Sequence, residues 1–432
     1  MRFLLTVAAA LLLALVPEQG MAQQAETGAS QATPSLQARA DDLASVLRGE
    51  KDADDVFGPQ FLAEVPPEQL ADLVAQLETA HGDFVGIDRI VPTSQFAGTV
   101  YLRFERSIGS GPLTLDPNPP HRIAGLVFSS FVPVDDSLAQ VRGELEALPG
   151  EVGVLYAPLA DDADPLLAID PERQMAVGST FKLYVLSALA RSIEAGERGW
   201  ADVVRLDTRS FPSGTMHLWP ERSPVTLHTL ATQMIAGSDN TATDALVYAL
   251  GRETVEAEIV ASGHSEPARM TPLLTTLELF ALKGSSDNRR KYLAADEAAK
   301  RRILADFRDD VGGDPEKIVP PQFSSPTAID TVEWFASARD VAAIMRRIVV
   351  LEDPTARDIL AVYPALPQPV REGWDYAGYK GGSEPGVLNL SWLLRDDAGE
   401  WRVLVMSWND PEAPLEKGRL ENLAQRVLRL GL

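Results

Sequence analysis

The 432-residue chain contains no cysteine. That excludes disulfides, a thiolate nucleophile, a cysteine zinc site and a lipid carried on an N-terminal cysteine. Histidine is nearly as scarce: the five stand at positions 81, 121, 217, 228 and 264, with no His-x-x-x-His or similar ligand spacing. No metal and no other cofactor is therefore expected. Positive charge is also in deficit. Thirty-nine Lys and Arg against 62 Asp and Glu leave a net charge of −23, which argues against nucleic acid and anionic membrane surfaces as partners. Beyond residue 16 no apolar run approaches a membrane-spanning length.

What is present is an ordinary globular composition, 45% hydrophobic and 23% charged, in a chain long enough for more than one domain. The start is different in character. Met1-Arg2 precedes an apolar Leu/Ala run from Phe3 to Val16, Pro17 breaks it, and Gly20-Met21-Ala22 offers small residues before Gln23. This pattern reads as a secretory signal peptide over 1–22, so the mature protein is expected to be exported, periplasmic or extracellular, with no membrane attachment after cleavage. Residues 23–37 are polar and small and read as a disordered leader.

Residues 38–136 form a first expected domain. Leu43, Val46 and Leu47, then Leu70, Leu73, Val74 and Leu77, have helical spacing, and His81-Gly82 ends the second helix. Strand-like runs follow at Phe84–Ile87 and Gly98–Phe104. A Gly/Pro loop is expected from Gly109 to Pro120, and a further strand over Arg122–Phe131. Helices followed by strands indicate a small α+β unit.

The second domain, 137–432, opens with a linking helix at Ser137–Leu148 and a hairpin at Glu151–Tyr156 and Pro165–Ile169. Its centre is Met175–Ala190, apolar almost all round and hence a buried helix. Ser179 and Lys182 interrupt it at its mouth with i, i+3 spacing, which puts a hydroxyl and an amine on one face. Desolvation lowers a lysine's pKa and frees it to act as a base, and a serine needs such a base to become a nucleophile. The same pair fits a plain helix N-terminus with a snorkelling lysine, so alone it decides nothing. Downstream, Leu227, Leu230, Ala231, Met234 and Ile235 form a helical stripe that ends at Gly237. Ser238-Asp239-Asn240 then makes a turn before the next helix. Near the C-terminus Tyr379-Lys-Gly-Gly-Ser383 precedes the buried strand pair Val387–Trp392 and Trp401–Trp408.

Ser-x-x-Lys, Ser-Asp-Asn and Lys-Gly-Gly in that order resemble the motif series of the penicillin-binding and class A β-lactamase-like serine hydrolases. The resemblance covers residues 137–432. It implies an antiparallel sheet packed with helices and an acyl-enzyme mechanism on a small-molecule β-lactam, ester or peptide-like substrate. By the same resemblance Ser179 is the nucleophile, Lys182 its base and Ser238 a proton relay. Asn240, Lys380, Gly382 and Ser383 bind substrate, with the backbone N–H groups of Ser179 and Ser383 as the oxyanion hole. The first domain resembles the ketosteroid-isomerase or nuclear-transport-factor-2 (NTF2) cone. The two-domain order resembles the isomerase-like plus β-lactamase-like hydrolase architecture of clavulanate biosynthesis.

Two departures from that pattern bear on turnover. The family's Glu-x-x-Leu-Asn is absent, leaving Glu266 as the only acid in the corresponding stretch, and Gly381 stands where a Thr or Ser hydroxyl is usual. Slow β-lactam turnover is therefore expected, with Glu384 as a possible alternative base. The rival readings are a true β-lactamase with another base, and a sensor that binds without turnover. A second Ser-Asp-Asn at 286–288 reads as a charged surface loop, and the charged stretch Lys291–Asp310 with the Pro-rich segment to Pro326 as extra length. Nothing in the sequence sets the oligomeric state.

Overall fold

The computed structural model describes residues 33–128, 130–160, 163–207, 209–211, 213–311 and 324–431. The expected signal peptide, most of the expected leader and much of the Pro-rich segment lie outside these residues. The chain divides into two compact units after Val134.

The first unit carries helices α1 (Pro34–Leu47), α2 (Ala53–Val56), α3 (Pro59–Glu64) and α4 (Pro67–His81), then strands β1 (Phe84–Ser94), β2 (Ala97–Phe104), β3 (Ser107–Leu115), β4 (Ile123–Leu126) and β5 (Ser130–Pro133). The sheet runs β1-β2-β3-β4, with β5 also paired to β3, all antiparallel. Three expectations are corrected here. Residues 34–37 are helical, not leader. Thr33 Oγ1 accepts from Leu36 N at 3.3 Å, Pro34 sits in the first turn, and Leu36, Ala40 and Leu43 are fully buried along one stripe. The Gly109–Pro120 stretch is mostly strand. Its glycines mark close approach of neighbours: a Cβ on Gly109 would meet the Phe131 ring at 2.6 Å, and one on Gly111 the Val127 carbonyl at 1.7 Å. The single strand expected over Arg122–Phe131 is two strands, β4 and β5, paired with different parts of β3.

In the second unit α5 (Leu138–Glu146) leads to β6 (Glu151–Pro158), β7 (Leu167–Ile169) and β8 (Met175–Ala176). A 3-10 turn, Gly178–Phe181, then opens α6 (Lys182–Glu194). After β9 (Val203–Arg205) and β10 (Pro224–Thr226) come α7 (Leu227–Ala236), α8 (Asn240–Leu250), α9 (Arg252–Ala261), α10 (Thr276–Gly284), α11 (Ser286–Leu293) and α12 (Glu297–Val311). The remainder is β11 (Phe335–Ala336), α13 (Ala338–Val349), α14 (Thr355–Ala361), α15 (Gln368–Arg371), the three long strands β12 (Tyr376–Glu384), β13 (Val387–Arg395) and β14 (Trp401–Asn409), and α16 (Lys417–Leu430). The second Ser-Asp-Asn is corrected too: it is the first turn of α11, with Ser285 Oγ accepting from Asn288 N at 3.2 Å.

The long strands form a five-stranded antiparallel sheet in the order β12-β13-β14-β6-β7. Period-two alternation sends β14 residues Leu404, Met406 and Trp408 to one face, where they pack with Leu420, Leu423 and Val427 of α16. Val403 and Val405 point to the other face and join Phe181, Leu183 and Leu186 around α6. With both faces covered, β13 and β14 are buried along most of their length, and α6 is buried from Lys182 to Ala190. That sandwiching fixes the mouth of α6 against the β12 edge.

Candidate active site

The turn carrying Ser179 exists because Gly178 adopts φ +51°, a left-handed conformation that glycine enters without steric cost. It sits directly on β12: a Cβ on Gly382 would fall 2.0 Å from the Val177 carbonyl oxygen and 2.5 Å from Ser179 N. Beneath it lies a buried polar network. Thr180 Oγ1 donates to Asn389 Oδ1 at 2.8 Å, Ser391 Oγ donates to the same oxygen at 2.6 Å, and Asn389 Nδ2 donates to Ser407 Oγ at 2.7 Å. The Ser179 turn is thus tied to the central strands by hydrogen bonds that have no solvent to replace them.

One helical turn on, Lys182 is fully buried. Its Nζ donates to the Ser238 carbonyl at 2.6 Å, to Asn240 Oδ1 at 2.8 Å and to Ser238 Oγ at 3.2 Å. Burial first, and then the Lys380 charge, pushes its ammonium well below the usual lysine range. Ser238 holds φ +51° in the turn between α7 and α8, a conformation sparsely used outside glycine. Asp239 fixes that turn by accepting from Ala242 N at 2.9 Å, as the cap of α8, and from Met216 N at 2.8 Å. Ser213 Oγ adds a bond to the Ser238 carbonyl at 2.6 Å, and Asn240 Nδ2 donates to the Phe211 carbonyl at 3.0 Å.

From the opposite wall, Lys380 of β12 donates to Ser238 Oγ at 3.0 Å and to the Gly381 carbonyl at 2.5 Å. Burial lowers its pKa to about 7. One hydroxyl therefore lies between two amines that both part with a proton far more readily than an exposed lysine. Beside them Ser383 Oγ accepts from Lys417 Nζ of α16 at 3.1 Å.

Two adjoining cavities open on Ser179. One is lined by Ser238, Lys380, Gly382 and Ser383, the other by Asn240, Ser383, Glu333 and Glu384. All seven residues singled out from the sequence thus converge, though they come from the 3-10 turn before α6, α6 itself, the α7–α8 turn, α8 and β12. Glu266 is exposed and lines neither cavity. Ser213, Asp239, Asn389, Glu333 and Lys283, which donates to Glu333 Oε1 at 2.9 Å, were not read from the sequence. Only Asp239, as an N-cap inside a motif already quoted, carried a local signal.

These motifs and this fold define a class. The profile of the Beta-lactamase enzyme family matches residues 136–365, more than half of the chain. The chain belongs to that family and has its mixed α and β fold. Among solved structures, PBP-A and a point mutant of it, the mutant seen as an acyl-enzyme complex with penicillin G, are 16% identical at a TM-score of 0.47, covering 68% of this chain and 94% of their own. A β-lactamase from Sphaerobacter thermophilus DSM 20745 is 23% identical with the same TM-score and coverage. One from Chitinophaga pinensis DSM 2588 is 14% identical at 0.46, covering 68% and 97%. No curated protein matches the chain.

Proposed function

We propose that the chain is an exported serine hydrolase that takes the acyl group of a β-lactam, ester or peptide-like substrate onto Ser179 and releases β-lactam products slowly. The observation that carries this is the position of Ser238 Oγ, 3.2 Å from Lys182 Nζ and 3.0 Å from Lys380 Nζ, at the edge of a cavity containing Ser179. Lys182, desolvated and part neutral, takes the Ser179 proton as Oγ bonds to the carbonyl carbon. The proton crosses Ser238 to the leaving nitrogen or oxygen. Asn240 holds Lys182 and the substrate, Lys380 attracts an anionic group, and Gly382 lets the turn and strand close. That closure brings the Ser179 and Ser383 N–H groups toward one oxyanion. Gly381 supplies no hydroxyl to a substrate carboxylate.

The first unit we read as an NTF2-like cone, a reading supported by helices preceding an antiparallel sheet. Export is supported by the Met1–Ala22 pattern, and N-terminal sequencing of secreted protein tests it by showing Gln23 as the first residue. Steady-state turnover of a penicillin, a cephalosporin and an aryl ester tests the substrate reading. Ester turnover with slow β-lactam release is the expected result. Rapid β-lactam hydrolysis would show a true β-lactamase, and a stable adduct without turnover of any substrate would show a sensor.

A further inference from the structure

The cavity that opens on Ser179 has a wall to which the roles above give no work. It contains Glu384 and Glu333. Strand alternation explains how Glu384 reaches it. Lys380, Gly382 and Glu384 share one face of β12, and Gly382 is where the Val177–Ser179 backbone rests. The nucleophile's turn therefore sits over the strand with Lys380 to one side and Glu384 to the other. Lys380 is engaged with Ser238. Glu384 instead pairs with the buried Lys283 of α10, whose Nζ also donates to Glu333 Oε1 at 2.9 Å. Glu333 Oε2 accepts from Trp334 N at 3.0 Å.

One buried ammonium thus faces two carboxylates. A single proton relieves the excess negative charge at low dielectric. Burial, and then the Glu333 charge, raises Glu384 to about 8. Lys283 is held above its ordinary range: burial works against its charge, but Glu333 and Glu384 outweigh it. The charged groups facing Glu384 are Lys283 from α10 and Glu333 from the segment before β11, with Lys380 four residues back on its own strand face. Thr276, Leu279, Phe280 and Trp334 complete an otherwise uncharged wall.

We propose that Glu384 is the general base that frees Ser179 from its acyl group. The inference rests on the acyl-enzyme reading above. A water in this cavity bonds through its oxygen to the ester carbonyl carbon while the Glu384 carboxylate takes one of its protons. The Ser179 and Ser383 N–H groups hold the resulting oxyanion. As the intermediate collapses, the bond from the carbonyl carbon to Ser179 Oγ breaks, and the proton on Glu384 passes to Oγ. Water has then been divided between the acyl group and the serine, and Glu384 is again a carboxylate. Below about pH 8 the proton already resident on Glu384 blocks this step, so release is slow at neutral pH.

The test is the lifetime of the adduct. Full-length protein is acylated with a penicillin, freed of excess drug, and followed by intact mass from pH 6 to 9.5 in wild type, Glu384→Gln and Glu333→Gln. Wild-type release is expected to rise about tenfold per pH unit and to level off above about pH 8. Glu384→Gln still forms the adduct but releases it about 10²-fold more slowly, without the rise. Glu333→Gln removes the neighbouring charge, so the midpoint of the rise moves to lower pH, a shift that a merely structural role would not produce. Wild-type release that is flat between pH 7 and 9 overturns the proposal without any variant. Release from Glu384→Gln at the wild-type rate and pH profile overturns it while leaving the acyl-enzyme reading intact. Absence of any Ser179 adduct overturns both.

Discussion

Replacing Gly382 by alanine perturbs the site at the point where the Ser179 turn meets the strand. The added Cβ would lie 2.0 Å from the Val177 carbonyl oxygen, 2.5 Å from Ser179 N and 2.8 Å from Gly178 C. These are backbone atoms, and no rotamer change removes them. β12 is locked in register, Gly382 opposite Asn389 and Lys380 opposite Ser391, and α6 is buried behind the turn. The gap must therefore open by about 1.4 Å, which moves the Ser179 and Ser383 amides apart, to restore van der Waals contact. Losing one oxyanion donor typically slows acyl transfer by about 10²–10³-fold. Overpacking costs about 1–3 kcal/mol of stability, and each kcal/mol is worth about 2–4 °C in a large domain. The assay is the rate of adduct formation at saturating penicillin, followed by mass, beside a thermal melt. Wild-type acylation with an unchanged melting temperature would refute the reasoning, because the turn would then have room that the geometry denies.

Lys182→Met removes the proposed base and should slow acylation by about 10²–10⁴-fold with the fold intact, which stopped-time mass measurements on a folded sample would show. Lys380 titrates near 7 in the folded chain against an ordinary 10.5, so between those values the unfolded chain binds more protons and stability from this group rises with pH. Its penalty is full below about pH 7 and gone by about 10.5. Lys380→Met should accordingly raise the melting temperature more at pH 6 than at pH 10, while weakening anionic substrates. Asn389→Ala strands Thr180 Oγ1 and Ser407 Oγ in a buried network and should cost about 1–3 kcal/mol in urea unfolding. Gly143→Ala, in the interior of α5 with open space where the Cβ would go, should stabilise by about 1 kcal/mol in the same assay.

How much of this could be read from the chain depended on whether the determinant was local. Ser179, Lys182, Ser238, Asn240 and Lys380 sit in short strings whose neighbours also specify the local conformation: a glycine before Ser179, an aspartate cap before Asn240, a strand around Lys380. The buried strand pair β13 and β14 was legible for the same reason. Glu333 and Lys283 were not, because neither lies in a motif. They meet Glu384 only once α10, the segment before β11 and the end of β12 have packed. Strand β3 was hidden by its own composition. Gly109 and Gly111 read as loop, yet they are glycine because Phe131 and the Val127 carbonyl crowd those positions from adjoining chain. Ser286–Asn288 shows the converse failure: a tripeptide identical to Ser238–Asn240 forms the first turn of an unrelated surface helix.

The central claim is that Ser179 becomes covalently acylated. The most direct measurement is the intact mass of the protein after incubation with a penicillin and with an activated ester, followed by peptide mapping, beside Ser179→Ala. The account predicts an increment equal to the whole ring-opened penicillin or to the ester's acyl group, located on the peptide containing Ser179 and absent from the variant. No increment with either reagent, or one that persists in Ser179→Ala, would contradict it.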